Sequence, residues 1–211
     1  MSGGPPRHPA AGIPGGPPLP PAFYQRPPLR VARDLLGACL VRKVGGTILA
    51  GRIVEVEAYL GRRDPASHAF RGKSARNEVM FREGGHLYVY FTYGMHHCAN
   101  VVTGRAGTPS AVLIRAIEPI AGLGRMAANR GLPRHSTPQR SLAGGPARLC
   151  QALQIGPGEN GISLQGPDMF ILGGSPLPRN LIARSPRIGI SAGREKLWRL
   201  YIKGSPFLSR P

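Results

Sequence analysis

The chain is 211 residues long, enough for one well-cored domain and short for two. It carries 28 Lys and Arg against 10 Asp and Glu, a formal charge of +18, which excludes an acidic or neutral binding surface and points to phosphate-bearing polymers. Its three cysteines are widely spaced without a C-x-x-C pair, and no apolar run has membrane-spanning length, so a soluble intracellular protein without disulfides or structural zinc is expected.

Residues 1–28 hold 10 of the 23 prolines and 5 of the 30 glycines. So few apolar side chains cannot offset the entropy of ordering, and residues 1–21 read as a disordered tail ahead of a domain over 22–211. The remaining 183 residues keep 26 bases against 10 acids, so the charge belongs to the folded body. Leu29 to Gly37 has helical spacing, with Leu29, Val31, Leu35 and Leu36 facing inward and a glycine stop. Cys39–Val44, a Gly45-Gly46 turn and Thr47–Leu60 read as a β-hairpin. Residues 61–83 are charged and irregular, as in a long surface loop. Leu87–Tyr93 is a strand rich in aromatic residues, with Ala99–Thr103 pairing back on it, and Ala111–Ile117 is a further apolar strand. Residues 124–144, rich in Gly, Arg and Pro, read as a mobile connection. Pro146–Leu153 opens on a proline and keeps a helical period, and 187–207 reads as strand, turn, strand. Strands dominate the middle and helices the periphery, which predicts an α+β fold.

Acids are scarce, so their positions carry information. On an extended chain Ile53, Glu55, Glu57 and Tyr59 share one face, and Val54, Val56 and Ala58 share the other. Two carboxylates beside a tyrosine in so basic a protein fit acid–base chemistry; the plainer alternative pairs both with arginines such as Arg52 or Arg115. Tyr59, Tyr88, Tyr90 and Tyr93 are four of the six tyrosines. They fit an aromatic core, or a platform on which nucleobases stack at about 1–3 kcal/mol each. His96-His97-Cys98 lacks a second ligand cluster, and the H-x-E and P-C-x-x-C elements of a zinc deaminase are missing, so no metal is expected. Two matches to G-x-G-x-x-G/A, at Gly122 and Gly156, lack the strand or downstream acid that dinucleotide binding needs.

Taken together, Gly51-Arg-Ile-Val-Glu-Val-Glu-Ala-Tyr-Leu-Gly61 and Asp64-Pro-Ala-Ser-His68 resemble the active-site segment of the alkyladenine (3-methyladenine) DNA glycosylases. Leu87-Tyr-Val-Tyr-Phe-Thr-Tyr-Gly-Met95, Asn100, Leu113-Ile-Arg-Ala-Ile-Glu-Pro119, Gly145-Pro-Ala-Arg-Leu-Cys-Gln151 and Tyr201-Ile-Lys-Gly-Ser-Pro206 continue the resemblance, from about Phe23 to Leu208. It implies a compact single domain with a curved antiparallel sheet and peripheral helices. It implies a monofunctional glycosylase of base excision repair, a monomer on double-stranded DNA, at the bacterial nucleoid or in a eukaryotic nucleus. The substrates implied are alkylated or deaminated purines of the 3-methyladenine, 7-methylguanine, hypoxanthine and ethenoadenine class.

Carried onto this sequence, the resemblance makes Glu57 the base that activates water and Arg115 the residue holding water or carboxylate. Tyr59 stacks on one face of the flipped base, with His68 and Tyr90 on the other. Asn100 clashes with the amino group of guanine, and Leu113 lines the floor. Tyr93 and Met95 wedge into the gap left in the duplex. The sequence departs from the family at Lys73-Ser-Ala-Arg-Asn77, where Thr-Pro is commoner than Ser-Ala, and at His96-His97, which replace bulkier aromatics. No metal or organic cofactor is called for, and no lysine lies in the pocket segments for a lyase. A non-catalytic basic nucleic-acid-binding module is the competing expectation; it leaves Glu57 without a role.

Overall fold

The computed structural model describes residues 12–92, 94–134 and 136–210. Two short helices come first, α1 (Pro21–Tyr24) and α2 (Pro28–Leu35). Pro28 supplies the preset φ of a first helical turn, and Val31, Ala32 and Leu35 are buried along one stripe. Strands β1 (Cys39–Val44) and β2 (Thr47–Tyr59) form the expected hairpin, with Val44 facing Thr47. Gly45 and Gly46 both adopt positive φ, at 54° and 73°, as a two-residue hairpin turn requires.

Next come β3 (Leu87–Thr92), β4 (His96–Thr103) and β5 (Ser110–Ala121), then helices α3 (Leu123–Asn129), α4 (Arg140–Ala143) and α5 (Pro146–Ala152). Three four-residue strands follow: β6 (Met169–Leu172), β7 (Ile182–Ser185) and β8 (Arg199–Ile202). All pairings among the eight described strands are antiparallel, in the order β3-β4-β5-β2-β1-β6, with β8 joined to β2 and β7 to β8. Helices α2, α3, α4 and α5 cover one face, where Leu35, Ile53, Ile114, Ile117, Met126 and Leu149 belong to the main core. The fold is α+β, as the element pattern predicts.

Strand β2 departs from strict alternation. Ile53 joins Val56 and Ala58 in the main core, whereas Glu55 and Glu57 do not. The register against β5 shifts on both sides of Glu55: Ile53 faces Ile117, Glu55 faces Ala116 and Val56 faces Ile114. Val54 on β2 and Arg115 on β5 are thereby left without cross-strand partners. Such irregularities re-aim side chains. The other edge of β2 also changes partner here, from β1 up to Arg52 to β8 at Glu55–Glu57.

Four further expectations need correction. Residues 12–21 do not stay outside the body: the Leu19 amide donates to Ile171 O at 2.8 Å, and Pro18 bridges Leu172. An extended proline-rich segment needs few donors to run along a sheet edge, and its apolar side chains Ile13 and Leu19 find cover there. Residues 61–83 form 3-10 turns at Gly61–Arg63 and Ala75–Phe81 and bury Asp64, Ala69, Asn77 and Met80 on the outer sheet face, so this segment is a wall and not a free loop. Residues 124–144 contain most of α3 and all of α4, whose Met126, Ala127, Leu142 and Ala143 are buried. Finally, 187–198 is irregular, and the strand pairing with β8 lies earlier, at β7.

Candidate active site

The sheet register gathers the candidate residues on the face opposite the main core. Tyr88 faces Asn100, Asn100 faces Leu113, Leu113 faces Glu57, and Glu57 faces Arg199, a single row across five strands. Above it lies a cavity of about 390 Å³, within the size range of small-ligand sites. Tyr59, His68, Tyr90, Asn100, Leu113 and Arg115 line it.

Glu57 sits directly behind this lining and is fully buried. Oε2 accepts the Tyr59 hydroxyl at 2.8 Å, Oε1 accepts the Ile188 amide at 2.7 Å, and Arg115 Nη1 lies 3.3 Å from Oε1. Glu55 is held differently. It accepts Arg115 Nε at 2.9 Å, Arg199 Nε at 2.8 Å, and both the amide and hydroxyl of Ser209 at 2.6 and 2.7 Å. Burial works against its ionisation, but the Ser209, Arg199 and Arg115 contacts outweigh it and hold the carboxyl below its ordinary range. The plainer sequence alternative therefore holds for both carboxylates through Arg115, which meets Glu55 and Glu57, with Arg199 a further partner of Glu55; Arg52 pairs with Glu118 instead. Arg115 keeps its charge more firmly than usual, since Glu57 and Glu55 more than cancel its burial.

His68 stands against the tyrosines. Its Nδ1 is 3.0 Å from Tyr88 Oη, and its ring meets Tyr90 edge-on, with centroids 4.4 Å apart at 76°. Partial burial, then the nearby Arg76, lower the imidazole pKa, and burial pushes Tyr88 up to about 12. Burial likewise raises Tyr59 and Tyr90, so all three tyrosines remain phenols at neutral pH. The 3-10 wall is fastened by Asn77, which donates to His68 O and Gly72 O, both at 2.9 Å, and accepts the Ser74 amide at 2.7 Å. Asn100 donates to Tyr88 O at 3.1 Å, which fixes the amide across β3 and β4. Met95 lies outside the cavity and is 69% exposed, in the turn between β3 and β4. Tyr93 lies outside the described residues.

Sequence reasoning misses the strap over Arg187–Ser191. Ile188 to Ser191 close one side of the cavity. Arg187 donates to both carboxylate oxygens of Asp64, at 2.5 and 2.7 Å, and to Ala58 O at 3.0 Å. Its guanidinium carbon also lies 4.6 Å from the Tyr59 ring centroid and 5.0 Å from that of Trp198. Arg187 is not a lining residue, so it supports Tyr59 from outside the cavity. One arginine among 24 carries no distinguishing signal; Asp64, one of ten acids, is the residue that could have pointed to it.

Residues 22–206 match the family described as methylpurine-DNA glycosylase. Relatives from Chlorobaculum tepidum, Carboxydothermus hydrogenoformans and Methanoculleus marisnigri share the name "Putative 3-methyladenine DNA glycosylase". Each is 48% identical to this chain, over 189, 193 and 196 residues respectively. The matches cover 89%, 91% and 91% of this chain and 88%, 98% and 98% of the relatives. With the family match running from the first helix past the last strand, and relatives near half identical over almost their whole length, the chain belongs to the methylpurine-DNA glycosylase family.

Proposed function

We propose that this 3-methyladenine DNA glycosylase of base excision repair turns alkylated or deaminated purines out of the duplex and hydrolyses the N-glycosidic bond with a water activated by Glu57. The observation that carries the reading is a buried carboxylate, paired with Arg115, at the back of an aromatic cavity. The target bond is unreachable inside a duplex, so the nucleotide must leave the stack. Tyr59 then receives one face of the base, His68 and Tyr90 the other. Leu113 forms the floor, and Asn100 clashes with the guanine amino group, which disfavours undamaged guanine without barring 7-methylguanine, whose cationic base leaves readily. Tyr93 and Met95 fill the space left in the duplex. As the glycosidic bond breaks, its electron pair leaves with the base; water attacks C1′ and Glu57 takes its proton, leaving an abasic site. A purine alkylated at N3 or N7 is cationic and departs neutral, without a proton donor. Electron-rich tyrosine faces favour that cation.

The test is single-turnover base release from a duplex holding one 7-methylguanine or one hypoxanthine. Release, with an alkali-labile abasic strand, is expected. Tight binding with no release from either lesion would leave a binding module as the better reading.

A neutral lesion such as hypoxanthine needs its leaving base polarised, and His68 is the titratable cavity group beside it. His68→Ala is expected to slow hypoxanthine release by about 100-fold, the lower end for acid–base assistance, and to slow 7-methylguanine release much less. Equal slowing of both would remove this role. The +18 charge makes phosphate contacts dominate binding. If about six phosphates are neutralised, affinity for lesion-free duplex falls roughly 10³-fold between about 50 and 200 mM salt. A titration that is flat over this range would contradict it.

A further inference from the structure

Arg115 stands where the β2–β5 register breaks, with no cross-strand partner on β2, so the ladder alone does not fix its direction. Its side chain is held from the far edge instead. Nε donates to Glu55 Oε1 at 2.9 Å, and Nη2 and Nε reach the Ser209 hydroxyl oxygen at 3.1 and 3.3 Å. Ser209 in turn donates its hydroxyl and its amide to the two oxygens of Glu55. Arg199 completes the clamp, donating Nε to Glu55 and Nη2 to Arg210 O at 2.7 Å. With that edge occupied, Nη1 is the nitrogen turned toward Glu57.

We propose that Ser209 is a positioning residue of the active site: bridging Glu55 and Arg115, it holds the guanidinium with Nη1 directed at Glu57. The proposal rests on the functional reading of Glu57 and Arg115 given above. Ser209 lies 94 residues from Arg115 and 154 from Glu55, beyond the last strand, and lines no part of the cavity. The short network is specific to the hydroxyl. Alanine removes one acceptor from Arg115 and one donor from Glu55, whereas threonine keeps both. Among the influences that keep the Glu55 carboxyl ionised against its burial, the Ser209 amide comes first and its hydroxyl second, and alanine removes only the hydroxyl.

The experiment measures single-turnover release of 7-methylguanine and the dissociation constant for a duplex carrying a stable abasic analogue, with the full chain. Ser209→Ala is expected to release base about tenfold more slowly, the loss of one hydrogen bond to a charged group, with binding unchanged. Ser209→Thr returns the rate to within about twofold of wild type. In an Arg115→Lys background, whose ammonium has no second nitrogen for Ser209, the alanine replacement costs little more, since residues acting through one another are not additive. Ser205→Ala, in the same segment but off the network, keeps the wild-type rate. Wild-type release by Ser209→Ala, equal slowing by Ala and Thr, or full additivity with Arg115→Lys would each overturn the proposal. A wild-type protein that releases no base fails the functional reading itself, and the proposal falls with it.

Discussion

Glu57→Gln is expected to lower single-turnover base release by about 10²–10⁴-fold, the range for loss of an acid–base group, while duplex binding persists. The amide matches the carboxylate in shape, and its surroundings can accept it. Oε1 still receives the Ile188 amide and Arg115, and the new NH₂ can donate to the Tyr59 oxygen once that hydroxyl rotates. What glutamine cannot do is take a proton from water. Arg115 retains Glu55 as its second carboxylate, so the guanidinium is not left unpaired. The same duplexes used for wild type check the expectation, with an abasic-analogue binding measurement beside them. A Glu57→Gln protein that releases 7-methylguanine at the wild-type rate would remove Glu57 from the mechanism.

The largest stability effect is expected at the strap. Both side chains of the Arg187–Asp64 pair are completely buried. Arg187→Met leaves the Asp64 carboxylate with only the Leu60 and Ala66 amides, at 3.1 and 3.2 Å, and no countercharge. Breaking one side of a buried pair costs about 3–5 kcal/mol. For a domain of this size that lowers the melting midpoint by roughly 6–20 °C. Asp64→Asn combined with Arg187→Met is expected to be more stable than Arg187→Met alone, because no unpaired buried carboxylate remains. Thermal unfolding of the single and double variants checks both statements. A midpoint within a degree or two of wild type for Arg187→Met would show that the pair contributes nothing. The variant should also lose activity beyond its stability loss, since Arg187 stacks on the Tyr59 ring from behind.

Where the sequence was legible, local chemistry explains it. The Gly45-Gly46 turn and the apolar alternation around it define the first hairpin, and Pro28 and Pro146 mark helix starts. Four-residue strands such as β6 and β7 are too short to display a period, and β6 is absent from the sequence reading. The 124–144 stretch misled because Gly, Arg and Pro conceal two helices of four and seven residues that tertiary burial sustains. The face assignment of Ile53 failed at the register break, since alternation assumes a ladder without extra residues. Within the site, residues 57, 59, 68, 90, 100, 113 and 115 stood in recognisable motifs. Asp64 stood in the motif that ends at His68, but its partner Arg187, like Arg199 and Ser209, makes contacts formed only on folding, and an excess of arginine hides the few that matter.

The Glu55 clamp also orders events during synthesis. The residue enters the chain early, yet two of its three partner residues, Arg199 and Ser209, lie 144 and 154 positions downstream. Until those residues leave the ribosome, a nascent sheet that closed around Glu55 would enclose a carboxylate satisfied by Arg115 alone. Contacts of such separation are entropically late. The outer face of the sheet, and with it the site, therefore matures only after Arg199 and Ser209 have emerged, while the β1–β2 hairpin can pair as soon as its turn emerges.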